Sequence, residues 1–181
     1  MADKFAAYSC VNQHEQVFDF IADVSPAFNS SNDYTCEYIA RRKSCKKANS
    51  FSISLADSDI GKYVFEAAAA GNMNYLRKLL QEDPLILDRV VVNCLHETTM
   101  HTAALFGHTD FVREILRQRP EFARELILHL LSPLHLASAK GYAEVAMGLI
   151  YVNAQTCLAC DKNGFTPLHL AAIKGQIDVM K

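Results

Sequence analysis

Apolar residues recur in pairs along the chain from about residue 61: Tyr75-Leu76 with Leu79-Leu80, Phe111-Val112 with Ile115-Leu116, and Val145-Ala146 with Leu149-Ile150. Steps of three and four between the paired positions put each set on one face of a helix, with the polar residues on the other. Each such helix follows a glycine, Gly71, Gly107 or Gly141, and the series continues in Gly175. The last three glycines are 34 residues apart and the first lies 36 residues earlier. A fixed period of this length predicts an architecture of stacked repeats.

A second pattern precedes the glycines. His101, His135 and His169 stand six residues before the last three, and Ala103, Ala137 and Ala171 follow two residues after each histidine. The blocks read Thr98-Thr99-Met100-His101, Ser132-Pro133-Leu134-His135 and Thr166-Pro167-Leu168-His169. Each is predicted to open a short helix: the hydroxyl residue caps it, and Pro133 or Pro167 at the first helical position removes an N–H that had no intrahelical partner. Small alanines admit a close neighbour, and the glycine ends the helix in a left-handed turn. Pro84 and Pro120 follow the second helices, and Asp161-Lys162-Asn163-Gly164 is a turn signal before the last block. The unit is therefore helix, turn, helix, loop. One unit cannot bury its apolar face alone, so neighbours must stack into a shared core.

Residues 61–93 carry Lys62-Tyr63-Val64-Phe65-Glu66-Ala67-Ala68 in the first-helix slot without the threonine, proline or histidine, and read as an N-terminal capping repeat. Residues 94–127 and 128–161 are full units and 162–181 a partial one. The chain stops at Val179-Met180-Lys181, inside the second helix of the fourth unit, which leads to the expectation of a truncated protein. Residues 1–60 show no period, mix short apolar patches with polar clusters, and are expected to be largely disordered.

The blocks Ser132 to Gly141 and Thr166 to Gly175 resemble the ankyrin repeat, with its Thr-Pro-Leu-His-x-Ala-Ala hallmark followed by glycine and a Val/Leu-rich helix. The likeness covers about 120 residues. It implies an all-α solenoid of stacked helix-turn-helix units with β-hairpin-like loops. The Glu82-Asp83-Pro84-Leu85 and Arg119-Pro120-Glu121-Phe122-Ala123 loops are similar to those of plant ankyrin proteins with a C-terminal membrane-spanning domain of PGG type, which act in defence and stress signalling; that domain is absent here. Two departures stand out. Thr99 and Met100 replace the Pro-Leu pair, and Ile127-Leu128-His129-Leu130 replaces the polar turn found one repeat later, which suggests a loose joint between the second and third repeats.

Composition narrows the functional class. Eighteen basic residues against 20 acidic give a net charge of -2, which favours neither nucleic acid nor an anionic membrane as partner. Six cysteines, at 10, 36, 45, 94, 157 and 160, are too sparse and irregular for a disulfide scaffold and point to a reducing, cytoplasmic compartment. The N-terminus lacks a secretory signal, and no window approaches the roughly 20 apolar residues of a membrane span. Membrane anchoring would need a missing C-terminal part. Arg41-Arg42-Lys43-Ser44-Cys45-Lys46-Lys47 fits a nuclear import signal, an anionic-lipid contact or a kinase target at Ser44, though a solvated charge run accounts for it more simply.

Candidate chemistry is sparse. In stacked repeats the three histidines fall in successive layers roughly 10 Å apart, too far to share a metal ion. The resemblance makes them folding residues that tie each helix start to the adjoining loop. Cys157-Leu158-Ala159-Cys160 has the spacing of half a zinc site, with no second pair nearby. No nucleophile, base and orienting group fall into a constellation, so neither an enzyme nor a cofactor is expected. The run Leu126-Ile127-Leu128-His129-Leu130-Leu131 is costly to expose and calls for a cover, from a partner or from its own stack. By the resemblance, protein partners of unknown identity meet the hairpin tips, here Cys94, Leu95, Glu97, Leu128, His129, Leu131, Lys162, Asn163 and Phe165, and the first-helix residues Leu105, Phe106, Ala139, Lys140, Ile173 and Lys174. Two rival readings are a targeting appendage of a ubiquitin ligase or acyltransferase and a cytoplasmic regulatory domain of a membrane protein.

Overall fold

A computed structural model describes residues 55–91 and 98–181; what was expected of residues 1–54, including Arg41 to Lys47, and of Cys94, Leu95 and Glu97 lies outside the described residues. Every regular element among the described residues is helical. The order is α1 (Leu55–Ala70), α2 (Met73–Glu82), α3 (Ile86–Val91), α4 (Thr99–Phe106), α5 (Thr109–Gln118), α6 (Pro133–Lys140), α7 (Ala143–Val152) and α8 (Pro167–Ile173), followed by a single turn at Ile177–Met180. Pairs α1/α2, α4/α5, α6/α7 and α8 with its turn are the four units, the solenoid implied by the 34-residue period. Residues 61–181 form one compact unit.

The caps explain where the first helices start and stop. The side-chain oxygens of Thr98, Ser132 and Thr166 accept the backbone N–H of His101, His135 and His169, each at 3.4 Å. Each helix then ends in a glycine at positive φ, 75° at Gly107 and 85° at Gly141. The next residue's N–H reaches back across the turn: His108 N to Ala103 O at 3.0 Å, Tyr142 N to Ala137 O at 3.0 Å and Gln176 N to Ala171 O at 2.8 Å. The periodic alanines are thus the carbonyl acceptors that close these turns.

First and second helices play different parts in the core. First helices stack on one another, α4 on α6 and α6 on α8, and α5 packs on α7. An inner helix is covered on two sides, so α4 buries every residue from Thr99 to Leu105 and α6 every residue from Pro133 to Ala139. Second helices are amphipathic: α5 buries Phe111, Val112, Ile115 and Leu116 and turns Arg113 and Arg117 outward, paired to Asp110 at 3.0 Å and Glu114 at 2.7 Å. Each large side chain taken out of water in this way contributes about 1.5–3 kcal/mol.

Three expectations need correction. Helix α1 begins at Leu55, so the segment expected to lack structure up to residue 60 contributes its last six residues to a helix. The joint between the second and third repeats is tight, because Leu131 O accepts both its own hairpin's Ile127 N at 2.9 Å and the preceding repeat's His101 Nε2 at 3.1 Å. Leu105, Ala139 and Leu131, expected on the surface, are buried. Stacking on the following repeat covers the first two, and the fold of the hairpin turns Leu131 inward.

Candidate partner-binding surface

The surface is built on hairpin loops that lie 34 residues apart and share one frame. In the later loop Asp161 N donates to Phe165 O at 2.8 Å, and Gly164, at φ 82°, donates to Asp161 O at 3.0 Å. In the earlier loop Ile127 N donates to Leu131 O at 2.9 Å and Leu130 N to Ile127 O at 3.0 Å. Ile127 is thus the counterpart of Asp161, and Leu130 the counterpart of Gly164.

The two loops differ in what steadies them. Asp161 is buried, and its Oδ1 accepts the N–H of both Asn163 and Phe165 at 2.8 Å. Such a carboxylate fixes the turn from within. Ile127 cannot do this, and His129 and Leu130 sit at φ 66° and 61°, left-handed backbone that costs a residue with a Cβ roughly 1–2 kcal/mol. The turn persists because Ile127 and Leu131 are buried below it and because Lys162 N donates to His129 O at 2.8 Å, joining neighbouring loops.

Each hairpin is latched to the first helix of the preceding repeat. Ser132 N donates to His135 Nδ1 at 3.1 Å, so the ring hydrogen is on Nε2, which donates to Phe165 O at 3.2 Å. His101 makes the same bond to Leu131 O. Burial pushes His101 down to about 3 and lowers His135 below the usual histidine range, in both cases against the pull of backbone carbonyls. Both rings are therefore neutral at pH 7. His169 has the local half of the pattern, with Thr166 N donating to Nδ1 at 3.1 Å, and its ring is exposed.

On this frame Lys162 and Asn163 are exposed, Phe165 and His129 are half-buried, and Leu126 and Leu130 project with about half their surface in solvent. Leu128 lies at the tip of the earlier loop. The apolar run therefore divides: Ile127 and Leu131 fold into the stack while Leu126 and Leu130 face out. On the first helices Lys140 and Ile173 are exposed, and Phe106 and Lys174 half-buried; the Phe106 ring stacks on His108 at 6.3 Å. Burial lowers the His129 ring below the usual range, and the Lys162 cation beside it acts in the same direction.

A second set of contacts between repeats was missed in the sequence. The residue after each terminal glycine crosses back over the glycine of the preceding repeat: His108 over Gly71, Tyr142 over Gly107 and Gln176 over Gly141. His108 Nε2 donates to Ala69 O at 2.9 Å and Gln176 Nε2 to Ala139 O at 3.4 Å. A Cβ at Gly107 would meet the Tyr142 ring at 2.7 Å. The signal was available: a large side chain follows the glycine in three units.

Cys157, in a short 3-10 helix (Ala154–Leu158), and Cys160, in the loop after it, carry free thiols, the first half-buried and the second exposed. Among the described residues no three His, Cys, Asp or Glu side chains gather as a metal site, and no helix is long and apolar enough to cross a membrane.

A family model for ankyrin repeats matches residues 120–181. Ankyrin repeat domain-containing protein 53 of Homo sapiens is 34% identical over 125 residues, which takes in 64% of this chain and 22% of the relative. The protein of the same name from Macaca fascicularis is 32% identical over 124 residues, 64% of this chain and 23% of the relative. Target of rapamycin complex 2 subunit AVO2 of Saccharomyces cerevisiae is 33% identical over 84 residues, 46% of this chain and 20% of the relative. The chain spans about a fifth of the length of these curated relatives.

Proposed function

We propose that residues 61–181, of which the ankyrin-repeat family model matches 120–181, form a non-enzymatic ankyrin-repeat module that holds protein partners against its hairpin loops and the exposed ends of its first helices. Ankyrin repeats are protein–protein interaction modules, and the coarse function follows from the repeats themselves. The finer reading rests on one observation: the hairpins at 127–131 and 161–165 share a hydrogen-bonded frame, latched from below by His101 and His135, that presents Leu130, Lys162 and Asn163 on fixed backbone. A rigid surface loses little conformational freedom on binding, so contacts made there translate efficiently into affinity. The outer face of α5 is covered by ion pairs instead.

The mixed chemistry of the surface suits a protein better than a polyanion: apolar Leu126 and Leu130 lie one repeat from the cation of Lys162 and the amide of Asn163. A scaffold in intracellular signalling is the role this supports. The yeast relative is by its name a subunit of target of rapamycin complex 2, which agrees with assembly as the task. Plant defence and stress signalling, with membrane attachment through a segment outside this chain, rests on the likeness of the loops after α2 and α5 to plant ankyrin proteins.

The test compares three forms of the full chain: unaltered, carrying Leu126→Ser, Leu130→Ser and Lys162→Glu, and carrying Arg113→Glu and Arg117→Glu on the outer face. Circular dichroism establishes that all three are equally helical, and co-purified proteins are then identified. Loss of a partner only from the loop variant supports the assignment. Loss only from the α5 variant, or equal retention in both, overturns it.

A further inference from the structure

The repeat period allows the outward rows of the second helices to be compared position by position. On α2 the row carries Arg77, and Lys78 is paired to Glu82 at 3.9 Å. On α5 it carries Asp110 with Arg113 at 3.0 Å and Glu114 with Arg117 at 2.7 Å. Helix α7 departs from this pattern: Glu144 keeps the anion of Asp110, but Met147 and Tyr151 stand in place of Arg113 and Arg117, and Gly148 in place of Glu114. Met147 is 67% exposed and Tyr151 92%. Arg113 and Arg117 are exposed although α5 packs between α2 and α7, so the row faces solvent by its place on the helix, whatever flanks it. Two consequences follow from the exchange. Glycine inside a helix is destabilising, and Gly148 has neither a positive φ nor a close neighbour to require it: a Cβ there would meet nothing within 4 Å. What it leaves is a notch, floored by Gly148 and walled by Glu144, Met147 and Tyr151. These four stand at i, i+3, i+4 and i+7, the spacing of the hole into which a facing helix inserts a side chain. The second consequence is electrostatic. With methionine three residues on, Glu144 loses the cation that Asp110 has, and among the described residues no side chain pairs with its carboxylate.

We propose that the outward face of α7 is a docking site for a basic amphipathic helix of a partner protein, which seats one large apolar side chain in the notch at Gly148 and sets a lysine or arginine beside Glu144. Met147 and Tyr151 supply the apolar walls, and a tyrosine almost wholly in solvent has the most surface to lose there. The unpaired carboxylate selects the sign of the partner's charge. A second copy of this chain fits less well on two counts. Helix α7 contains no lysine or arginine, so α7 packed on α7 would bring no cation to Glu144. Its exposed apolar side chains, Met147, Tyr151 and Val152, offer at most about 250 Å² each, short of the ~800 Å² that each partner contributes to a stable complex. One helix held weakly by a few anchors needs no such area. The site lies on a second helix and is separate from the hairpin loops proposed above to hold partners.

The probe is a fluorescein-labelled peptide of two Leu-Lys-Lys-Leu-Leu-Lys-Leu heptads, titrated with the full chain and followed by fluorescence anisotropy. Micromolar binding is expected. Met147→Arg with Tyr151→Arg restores the α5 pattern, which already folds with arginine at both places, and should weaken binding by about tenfold or more. Gly148→Gln fills the notch without adding charge and should weaken binding by a similar factor while raising the thermal unfolding midpoint by a few degrees, so that lost binding cannot be lost folding. Glu144→Lys should lower affinity for this peptide and raise it for the same peptide with glutamate in place of lysine. No binding by the unaltered chain, or unchanged binding in either the arginine or the Gly148→Gln variant, overturns the proposal, as does a Glu144→Lys variant that treats both peptides as the unaltered chain does. Dimerisation of the unaltered chain in sedimentation experiments that the arginine variant abolishes also overturns it, in favour of a second copy as the occupant.

Discussion

The His135 imidazole joins two repeats in one step: its Nδ1 accepts the backbone N–H of Ser132 at the start of its own helix, and its Nε2 donates to the carbonyl of Phe165 in the next hairpin, 3.2 Å away. One neutral ring thus satisfies a helix N-terminus and a loop that otherwise share no covalent neighbour. The geometry requires the neutral form, because a carbonyl only accepts and the Ser132 N–H only donates.

Replacing His135 should therefore cost much more than replacing His169. His135→Ala strands two backbone groups inside the stack, for a loss of about 2–4 kcal/mol, whereas His169→Ala gives up an exposed cap, for about 1 kcal/mol. Chemical denaturation of the two variants at pH 7 measures the difference, and equal losses would show that the bond between repeats carries no weight.

Acid should loosen the stack through its buried histidines. The folded-state affinities of His101 and His135 for a proton are depressed by burial, so the unfolded chain binds protons first as pH falls below about 6.5. Stability is then fully present above that pH and declines below it, by up to about 1.4 kcal/mol per pH unit for each ring. Glu125, whose carboxyl burial pushes up, opposes the trend near its own range. Unfolding free energies at pH 7.0, 6.0 and 5.0 test this; a flat profile would mean the rings are charged or solvated in the folded chain.

Leu130→Gly should stabilise the fold and weaken partner binding together. At φ 61° the leucine bears a left-handed strain of roughly 1–2 kcal/mol that glycine does not, less the 0.5–1 kcal/mol or so of extra freedom glycine has when unfolded. A net gain of up to about 1 kcal/mol, measured by denaturation, is expected. The strained residue is also the one that projects its side chain at the loop tip, a pairing typical of sites where backbone strain serves function. A variant that gains stability and keeps full binding would separate the strain from the surface.

Two glycine substitutions should differ although the backbone conformations match. Gly107 and Gly175 stand at φ 75° and 68°, so alanine at either bears the left-handed cost of about 1 kcal/mol. Only at Gly107 does the new Cβ also strike the Tyr142 ring. Gly107→Ala should lower the unfolding midpoint well beyond Gly175→Ala, and comparable midpoints would mean the ring yields at no cost.

What the sequence revealed followed from periodicity. The 34-residue spacing of Gly107, Gly141 and Gly175 placed the helix ends, and the hydroxyl-x-x-His blocks placed the starts, because caps and left-handed turns are local and depend on residue type. What it concealed depended on neighbours. Leu105 and Ala139 read as outward positions on an isolated helix, and only stacking on the following repeat buries them. Leu130 and Leu131 are adjacent and alike in chemistry, yet the turn sends one out and the other in. The start of α1 at Leu55 was hidden because that helix lacks the capping block that marks the later ones.

The most direct test of the hairpin surface is amide hydrogen exchange on the full chain, with and without a partner captured by it. Protection on binding concentrated at residues 126–131 and 161–165 is the predicted result. Protection confined to the outer helices α5 and α7, with the loops unchanged, would contradict the account.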